Sequence, residues 1–259
     1  MNGLTAFFHG FAAPIYGIRL LLTHSKLRAL AIIPLLISVV LGSVLTVFGL
    51  YLLAMNLGTI SSELGSVLGF DPEGYAIIFL NIFLWPISLL LLGAAIYMAV
   101  RLVAAPFYSL LAERTLVELG SRHAVSFSLR DAPAWILIAL QMFMVSLVKA
   151  LLFTLASVIL FVVSFIPILN VLATLGFIHM LAFDISDYAF EAMEWPLSRR
   201  WAHFRAHAMT YTGLACGMGI AMLIPGVNLI LLPAAVVGAS ETLHRTLEDQ
   251  SSGNLREIR

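Results

Sequence analysis

The sequence predicts an all-α integral membrane protein with two full transmembrane helices, two re-entrant (partially inserted) helical hairpins and cytoplasmic amphipathic helices. Three observations indicate this class. Hydrophobic residues make up 61% of the 259 residues and charged residues only 11%, whereas a soluble domain is nearer 25% charged. Lysine and arginine are absent from the apolar region 29–100, and the break Ile-Pro-x-x-Asn occurs twice inside apolar stretches. We expect a single membrane domain, 1–259.

The two full spans are predicted at 29–55 and 75–100. At about 1.5 Å rise per residue, each run is long enough to cross a hydrocarbon core of roughly 30 Å. The short link between them carries only acidic charges, and basic residues flank the pair on both sides. Because cytoplasmic loops of membrane proteins are enriched in lysine and arginine, the link is expected outside and both basic flanks in the cytoplasm.

Three further helices are predicted outside the spans. The segment 4–22 mixes phenylalanine, isoleucine and leucine with His9, Gly10 and Arg19, a pattern typical of a helix that lies in the membrane interface. The segments 104–131 and 184–207 carry mixed charges and are expected to be cytoplasmic helices. The first of them is expected to open near Pro106, since proline is tolerated in the first turn of a helix.

The re-entrant hairpins are predicted at 150–183 and 210–240, with their turns at Pro167 and Pro225. Proline stops the incoming helix, and the asparagine three residues later can bond its own backbone or cap the next helix. In the second hairpin the arm before the turn has about 12 residues, or roughly 18 Å of helix, which is too short to cross. The alternative joins 132–166 into one long span, at the cost of placing Lys149 within the membrane.

The polar sequence Ser25-Lys26-Leu27-Arg28, directly before the first span, is the best candidate for an anion site. A long helix begins there, so free N–H groups and the positive end of the helix dipole face this segment. Arg28 and Lys26 add formal charge, and Ser25 or Thr23 can add a hydroxyl donor. A tetrahedral oxyanion suits such a place. The alternative is that these basic residues only anchor the span at the interface.

Other polar residues within the apolar stretches are candidates for a transport pathway. His179 lies in the second arm of the first hairpin, where an ionisable group is a functional candidate by default. A neutral histidine bonded to a backbone carbonyl is the alternative. Asn170 and Asn228 would lie deepest in the hairpins, where they either line a polar path or bond their own turns.

Signals for an enzyme or a cofactor are weak. His203 and His207 have helical spacing, but no glutamate follows as in a zinc protease, so they are expected to be surface histidines. The acidic residues at 184, 187, 191 and 194 are expected to pair with the arginines at 199, 200 and 205. The sequence shows no phosphate-binding loop, nucleophile motif or metal-spaced cluster, and Cys216, the single cysteine, is expected to be buried and inert. We predict neither metal nor cofactor, and the net charge of zero gives no indication of nucleic acid.

Several short motifs, taken together, resemble one family. They are the two Ile-Pro-x-x-Asn hairpins, Ala104-Ala105-Pro106-Phe107, Leu110-Leu111-Ala112-Glu113, Ile33-Pro34-Leu35-Leu36, Asp187-Tyr188, and Pro233 with Gly238-Ala239. In this order they resemble the CysZ-like sulfate permeases, within the etoposide-induced-protein membrane family, over nearly the whole chain. At the start of the first span the family tends to show Gly-x-Arg-Arg. Here Lys26-Leu27-Arg28-Ala29 keeps one arginine and departs at Lys26 and Ala29.

The resemblance implies a sulfate permease or channel of the bacterial inner membrane that supplies sulfate for cysteine biosynthesis. It also implies an anion site formed by Ser25, Lys26, Leu27 and Arg28. We expect sulfate or a related oxyanion and the lipid bilayer as partners, and a homo-oligomer, since short hairpins in one protomer wall too little volume for a pore. The alternative from another class is a non-transporting scaffold or regulatory subunit, and a membrane enzyme is a third.

Overall fold

The computed structural model describes residues 2–69, 75–122, 132–222 and 228–257, and within them all the regular structure is helical. The helices in chain order are α1 (Gly3–Thr23), α2 (Ser25–Val67), α3 (Tyr75–Glu118), α4 (Ala132–Ser164), α5 (Pro167–Ala192), α6 (Leu197–Ala206), α7 (Ala208–Met222) and α8 (Asn228–Glu257). The predicted all-α class is confirmed.

Among the residues that the structure describes, four helices are long and apolar enough to cross a membrane by length and composition: α1, α2, the Ile77–Glu118 part of α3, and α5. Both predicted spans are among them. Helices α1 and α5 are also long enough to cross a membrane. Helix length alone therefore does not decide whether 4–22 lies in the interface or whether the hairpins are re-entrant. Within α4, the apolar stretch Leu151–Ser164 is shorter than these four helices.

The chain divides into two compact units, 36–104 and the remainder. In the first of these, α2 and α3 lie side by side. Gly49 lies opposite Leu92 and Gly42 opposite Val100, so close that a Cβ at position 49 would collide with the leucine methyl groups. In lipid the hydrophobic effect does not drive two apolar helices together. Small residues instead let the helices approach closely enough to pack by van der Waals contact.

The larger unit is organised around α1. This helix packs most extensively against α7 and α8, and its buried residues form one stripe that includes Gly10, Gly17 and Leu21. Gly10 contacts the carbonyl of Thr210, and Gly17 contacts the carbonyl of Ala234. The opposite face exposes large apolar side chains, at Leu4, Phe8, Ile15 and Leu22.

The close contacts are reciprocal. Gly213 and Gly217 of α7 lie against the backbone carbonyls of Phe7 and Phe11, and Gly238 of α8 lies against that of Ala13. We call the contacts of these five glycines with their partner carbonyls the glycine seam. A side chain at any of these positions would overlap backbone atoms, so the seam fixes how closely α1 fits between α7 and α8.

Two predicted helix boundaries differ from the structure. The α3 helix continues without a break through Pro106 to Glu118, so no separate helix opens there. The α4 helix continues through Lys149 to Ser164, so the helix before the first turn is longer than the predicted arm beginning at 150. The segment 132–164 is therefore one continuous helix, as the alternative of one long span requires.

The first Ile-Pro-x-x-Asn break lies where the sequence places it. Ile166 is extended, with φ −90° and ψ 114°, and Pro167 occupies the first turn of α5. The proline ring restricts the residue before it to extended backbone, which ends α4 before α5 begins. The second break, at 223–227, lies outside the described residues. The described part of the α7 helix before it has 15 residues, or roughly 22 Å.

Candidate anion-binding site

The predicted anion site lies at the junction of α1 and α2, where a single residue, His24, separates the helices. The N–H of His24 donates to the carbonyl of Leu20 at 2.9 Å, and the N–H of Arg28 donates to the carbonyl of His24 at 3.1 Å. The N–H groups of residues 25–27 form the first turn of α2 and have no carbonyl within that helix to bond. The junction therefore presents backbone donors at the positive end of a helix 43 residues long.

The four predicted residues do not point the same way. Ser25, Lys26 and Arg28 are exposed, whereas Leu27 is buried, with 1% of its surface accessible. Ser25 and Arg28 are three residues apart and share one face of α2, while Lys26 and Arg28 are two apart and do not face each other. The Cα–Cβ bonds of a helix tilt toward its N-terminus, so the side chain of Arg28 starts in the direction of the free N–H groups. Leu27 can contribute only its backbone N–H and the anchoring of the helix start.

The hydroxyl of Thr23 is already bonded. Thr23 Oγ1 lies 3.0 Å from the carbonyl oxygen of Arg19 and 3.1 Å from that of Leu20, and 2.9 Å from Nδ1 of His24. A hydroxyl has one hydrogen, and here carbonyl oxygens of its own helix accept it. Of the two hydroxyl donors that the sequence offers, Ser25 is the one positioned at the start of α2. Neither Lys26 nor Arg28 forms an ion pair with a residue in the part of the chain that the structure describes.

The candidates for a pathway are bonded locally. The Asn170 side-chain amide donates to the carbonyl of Ser164 at 2.8 Å and so ties its own turn, one of the two roles weighed from sequence. His179 Nδ1 lies 2.8 Å from the carbonyl oxygen of Leu175, so Nδ1 carries a hydrogen and donates it, and Nε2 lies 3.3 Å from the hydroxyl oxygen of Thr212. His179 is thus bonded to the backbone of its own helix. The side chain of Asn228 lies outside the described residues.

A buried group of charges occupies the larger unit, where the sequence predicts ion pairs on a charged face. Arg200 pairs with Asp187 at 2.9 Å and with Glu191 at 3.7 Å, and Ser109 of α3 donates to Glu191 at 2.8 Å. Both carboxylates are at least nine-tenths buried, so this group links α3, α5 and α6 within the core. Pairing is confirmed for Arg200. Arg199 instead lies over the ring of Trp195, 4.2 Å from its centroid.

The prediction that His203 is a surface residue is wrong. It is buried against Trp195, Phe190 and Tyr211, and its Nε2 lies 3.2 Å from the hydroxyl of Thr246. Burial, with smaller contributions from His207 and Arg199, lowers the pKa of His203 to about 4. The described residues contain no group of three or more metal-ligating side chains. Cys216 is partly exposed rather than buried.

Comparison with known proteins identifies the family. The family profile described as Sulfate transporter CysZ/Etoposide-induced protein 2.4 matches residues 13–233. The chain belongs to this family. It is therefore a multi-pass membrane protein of a transporter family, and the expectation that it is not an enzyme is confirmed.

Individual relatives agree with this membership. The chain is 29% identical to the Sulfate transporter CysZ of Pseudomonas paraeruginosa over 237 residues, which are 85% of this chain and 88% of that protein. It is 29% identical to the Sulfate transporter CysZ of Pseudomonas fluorescens over 241 residues, or 86% and 88% of the two chains. The protein of the same name from Pseudomonas aeruginosa is 31% identical over 179 residues, covering 62% and 68%.

Proposed function

We propose that this CysZ family member is a sulfate permease of the bacterial inner membrane that supplies sulfate for cysteine biosynthesis. Its relatives are named sulfate transporters and align over most of their length. The observation that carries the proposal is the start of α2, where free backbone N–H groups, Ser25 and the exposed Arg28 share one place. A dianion with tetrahedral oxygens can accept several such donors at once.

Each residue has a distinct role in the proposed site. The N–H groups of residues 25–27 and the helix dipole bind oxygens of the anion, and Ser25 adds a hydroxyl donor. Arg28 supplies a planar fork that can bond two oxygens, whereas Lys26, on another side of the helix, supplies only a nearby point charge. Leu27 holds the helix start in the core through its buried side chain. Arg28 is thus the side chain on which binding depends most.

We further propose that the permease works as a homo-oligomer. Ser25 and Arg28 lie on an exposed surface of the protomer, and His179 and Asn170 are bonded within their own segments. A path for a dianion needs polar walls, because an unpaired charge in apolar surroundings is costly. Neighbouring subunits are the source of the missing wall.

The activity is tested by flux of radiolabelled sulfate into liposomes that contain only this protein. A permease gives protein-dependent uptake that saturates with sulfate concentration and falls when unlabelled sulfate is added. The absence of uptake, with correctly inserted protein, would favour the non-transporting scaffold instead.

The site is tested by Arg28→Lys, which keeps the charge and the membrane anchoring but removes the forked geometry. We expect sulfate binding or flux to fall several-fold or more, to fall further in Arg28→Ala, and to fall less in Lys26→Ala. Arg19→Lys is the matched control, since it makes the same change at an exposed arginine of α1 away from the helix start. If Arg28 is only an interfacial anchor, Arg28→Lys will be silent, because either side chain can reach the headgroups.

A further inference from the structure

A large cleft opens in the larger unit, away from the α1–α2 junction. Its volume is about 1010 Å³, and helices α4 to α7 contribute to its walls. This is at the upper end of the roughly 300–1,000 Å³ typical of small-molecule sites. None of the residues of the proposed sulfate site lines it.

The walls of the cleft are mainly apolar. Phe183 of α5 packs edge-on against Trp201 and Phe204 of α6, with ring centroids 5.5 Å and 5.3 Å apart. Phe153 of α4 and Met180 of α5 extend the apolar surface. Such a surface favours a hydrocarbon occupant, because covering it removes apolar area from contact with water.

One edge of the cleft is polar and positively charged, and a single face of α6 forms it. Ser198, Trp201 and Arg205 line the cleft and are spaced three and four residues apart, so they lie in one row along the helix. Arg205 is exposed and forms no ion pair with any residue in the described ranges. The other two arginines of α6 are engaged elsewhere, Arg199 on Trp195 and Arg200 on Asp187.

A free oxyanion does not fit inside this cleft. The other polar group in its wall, His179, is already hydrogen-bonded at both ring nitrogens, to the carbonyl oxygen of Leu175 and to the hydroxyl of Thr212. A dianion among aromatic rings without a counter-charge would bear a large desolvation cost. The occupant must combine an apolar body with an anionic end.

We propose that the cleft binds an anionic phospholipid, with one acyl chain between α5 and α6 and the headgroup phosphate on Arg205 and Ser198. Arginine bonds phosphate oxygens in pairs, and Trp201 between chain and headgroup occupies the level that tryptophan favours at membrane interfaces. Basic pockets between apolar helices bind anionic headgroups in this manner. This site is separate from the sulfate site, so it stands whether or not the protein carries sulfate.

Trp201 provides a direct probe. The protein is reconstituted in phosphatidylcholine vesicles with increasing amounts of phosphatidylglycerol brominated on its acyl chains, and quenching of tryptophan fluorescence is measured. The part of the quenching that Trp201→Phe removes is assigned to Trp201. We expect this part to saturate at a few mole per cent of brominated phosphatidylglycerol. Brominated phosphatidylcholine should quench only in proportion to its bulk amount.

The charge is tested by Arg205→Gln, which should raise the half-saturating fraction of phosphatidylglycerol several-fold. Arg199→Gln, on the same helix but outside the cleft, should leave it unchanged. In the wild-type protein, added salt should weaken the quenching by brominated phosphatidylglycerol but not the quenching by brominated phosphatidylcholine. This measurement does not depend on the folding of a variant. Equal quenching by the two lipids would mean that the cleft contacts bulk lipid without selecting the anionic headgroup, which would contradict the proposal. No quenching of Trp201 would mean that protein, such as a second copy of this chain, covers the cleft.

Discussion

At the scale of the residue, burial decides which charged and titratable groups matter for stability. The pair of Arg200 with Asp187 is buried, whereas the pair of Arg122 with Glu194 leaves the glutamate 75% exposed. Breaking a buried pair leaves an uncompensated charge, at about 3–5 kcal/mol, while an exposed pair contributes about 0–1 kcal/mol. The group of Arg200 therefore holds α5 and α6 together in a way that surface pairs do not.

His203 makes stability depend on pH. Its pKa is lowered from 6.5 to about 4 in the fold, so between these values the unfolded chain binds more protons at this residue than the folded chain. Stability from this group is complete above pH 6.5 and is lost as the pH falls toward 4, by on the order of 3 kcal/mol. We expect the thermal unfolding temperature of the purified protein to fall across this window.

The variant His203→Gln isolates that contribution, because glutamine keeps a side-chain donor for the Thr246 hydroxyl but does not titrate. Its unfolding temperature should change less between pH 7 and pH 4. His24→Gln, at the half-exposed junction of α1 and α2, is the control and should keep the wild-type slope. An unchanged slope in His203→Gln would show that other groups cause the acid sensitivity.

At the scale of the element, the glycine seam makes a prediction that two neighbouring residues of α7 can test. A Cβ at Gly217 would overlap the carbonyl oxygen of Phe11, whereas one at Gly219 would meet nothing within 4 Å. Gly217→Ala should therefore destabilise the protein by about 1–3 kcal/mol through displacement of α1. Gly219→Ala should be neutral or slightly stabilising, since alanine favours helix. Thermal unfolding in detergent measures both, and equal effects would contradict the seam.

The sequence predicts where individual helices lie better than it predicts which helices pack against each other. The break at Pro167 follows from local sterics, so it could be read directly, as could the apolar spans within α2 and α3. The glycines of α1 and α7 are also visible in the sequence, but their partner carbonyls come from helices about 200 residues away, and spacing alone does not identify a partner. The sequence therefore does not indicate that the segment 4–22 packs against α7 and α8.

The candidate site shows the same limit. Ser25 to Arg28 could be predicted because a helix start is a local feature with known electrostatics. That Thr23 bonds its own helix, and that Lys26 diverges from Arg28, depend on where the helices end and begin, which the sequence leaves uncertain by a residue or two. The burial of His203 depends on Trp195, Phe190 and Tyr211 from three neighbouring segments, and no local pattern indicates it.

At the scale of the whole molecule, the charge pattern predicts one orientation in the membrane. In a protein with Cys216 replaced, a cysteine at Ser62 should be labelled from the periplasm, and one at Ser251 only from the cytoplasm. Ser62 is the better position in the link region, since Ser62 is exposed and its neighbour Ser61 is 2% accessible. Labelling of both positions from both sides would mean dual insertion. That result would overturn the single orientation expected from the positive-inside rule.

The glycine seam also sets an order for biogenesis. The α1 helix leaves the ribosome before α7 and α8, the two helices whose carbonyls its glycines contact. At about 5–20 residues per second, α1 waits roughly ten seconds or longer for α7 and α8. During that interval the face of α1 that carries Gly10 and Gly17 lacks its partner backbone and contacts only lipid or a chaperone. Chains that stop before α7 should therefore be cleared by membrane proteases, so completion of translation is itself a checkpoint for assembly.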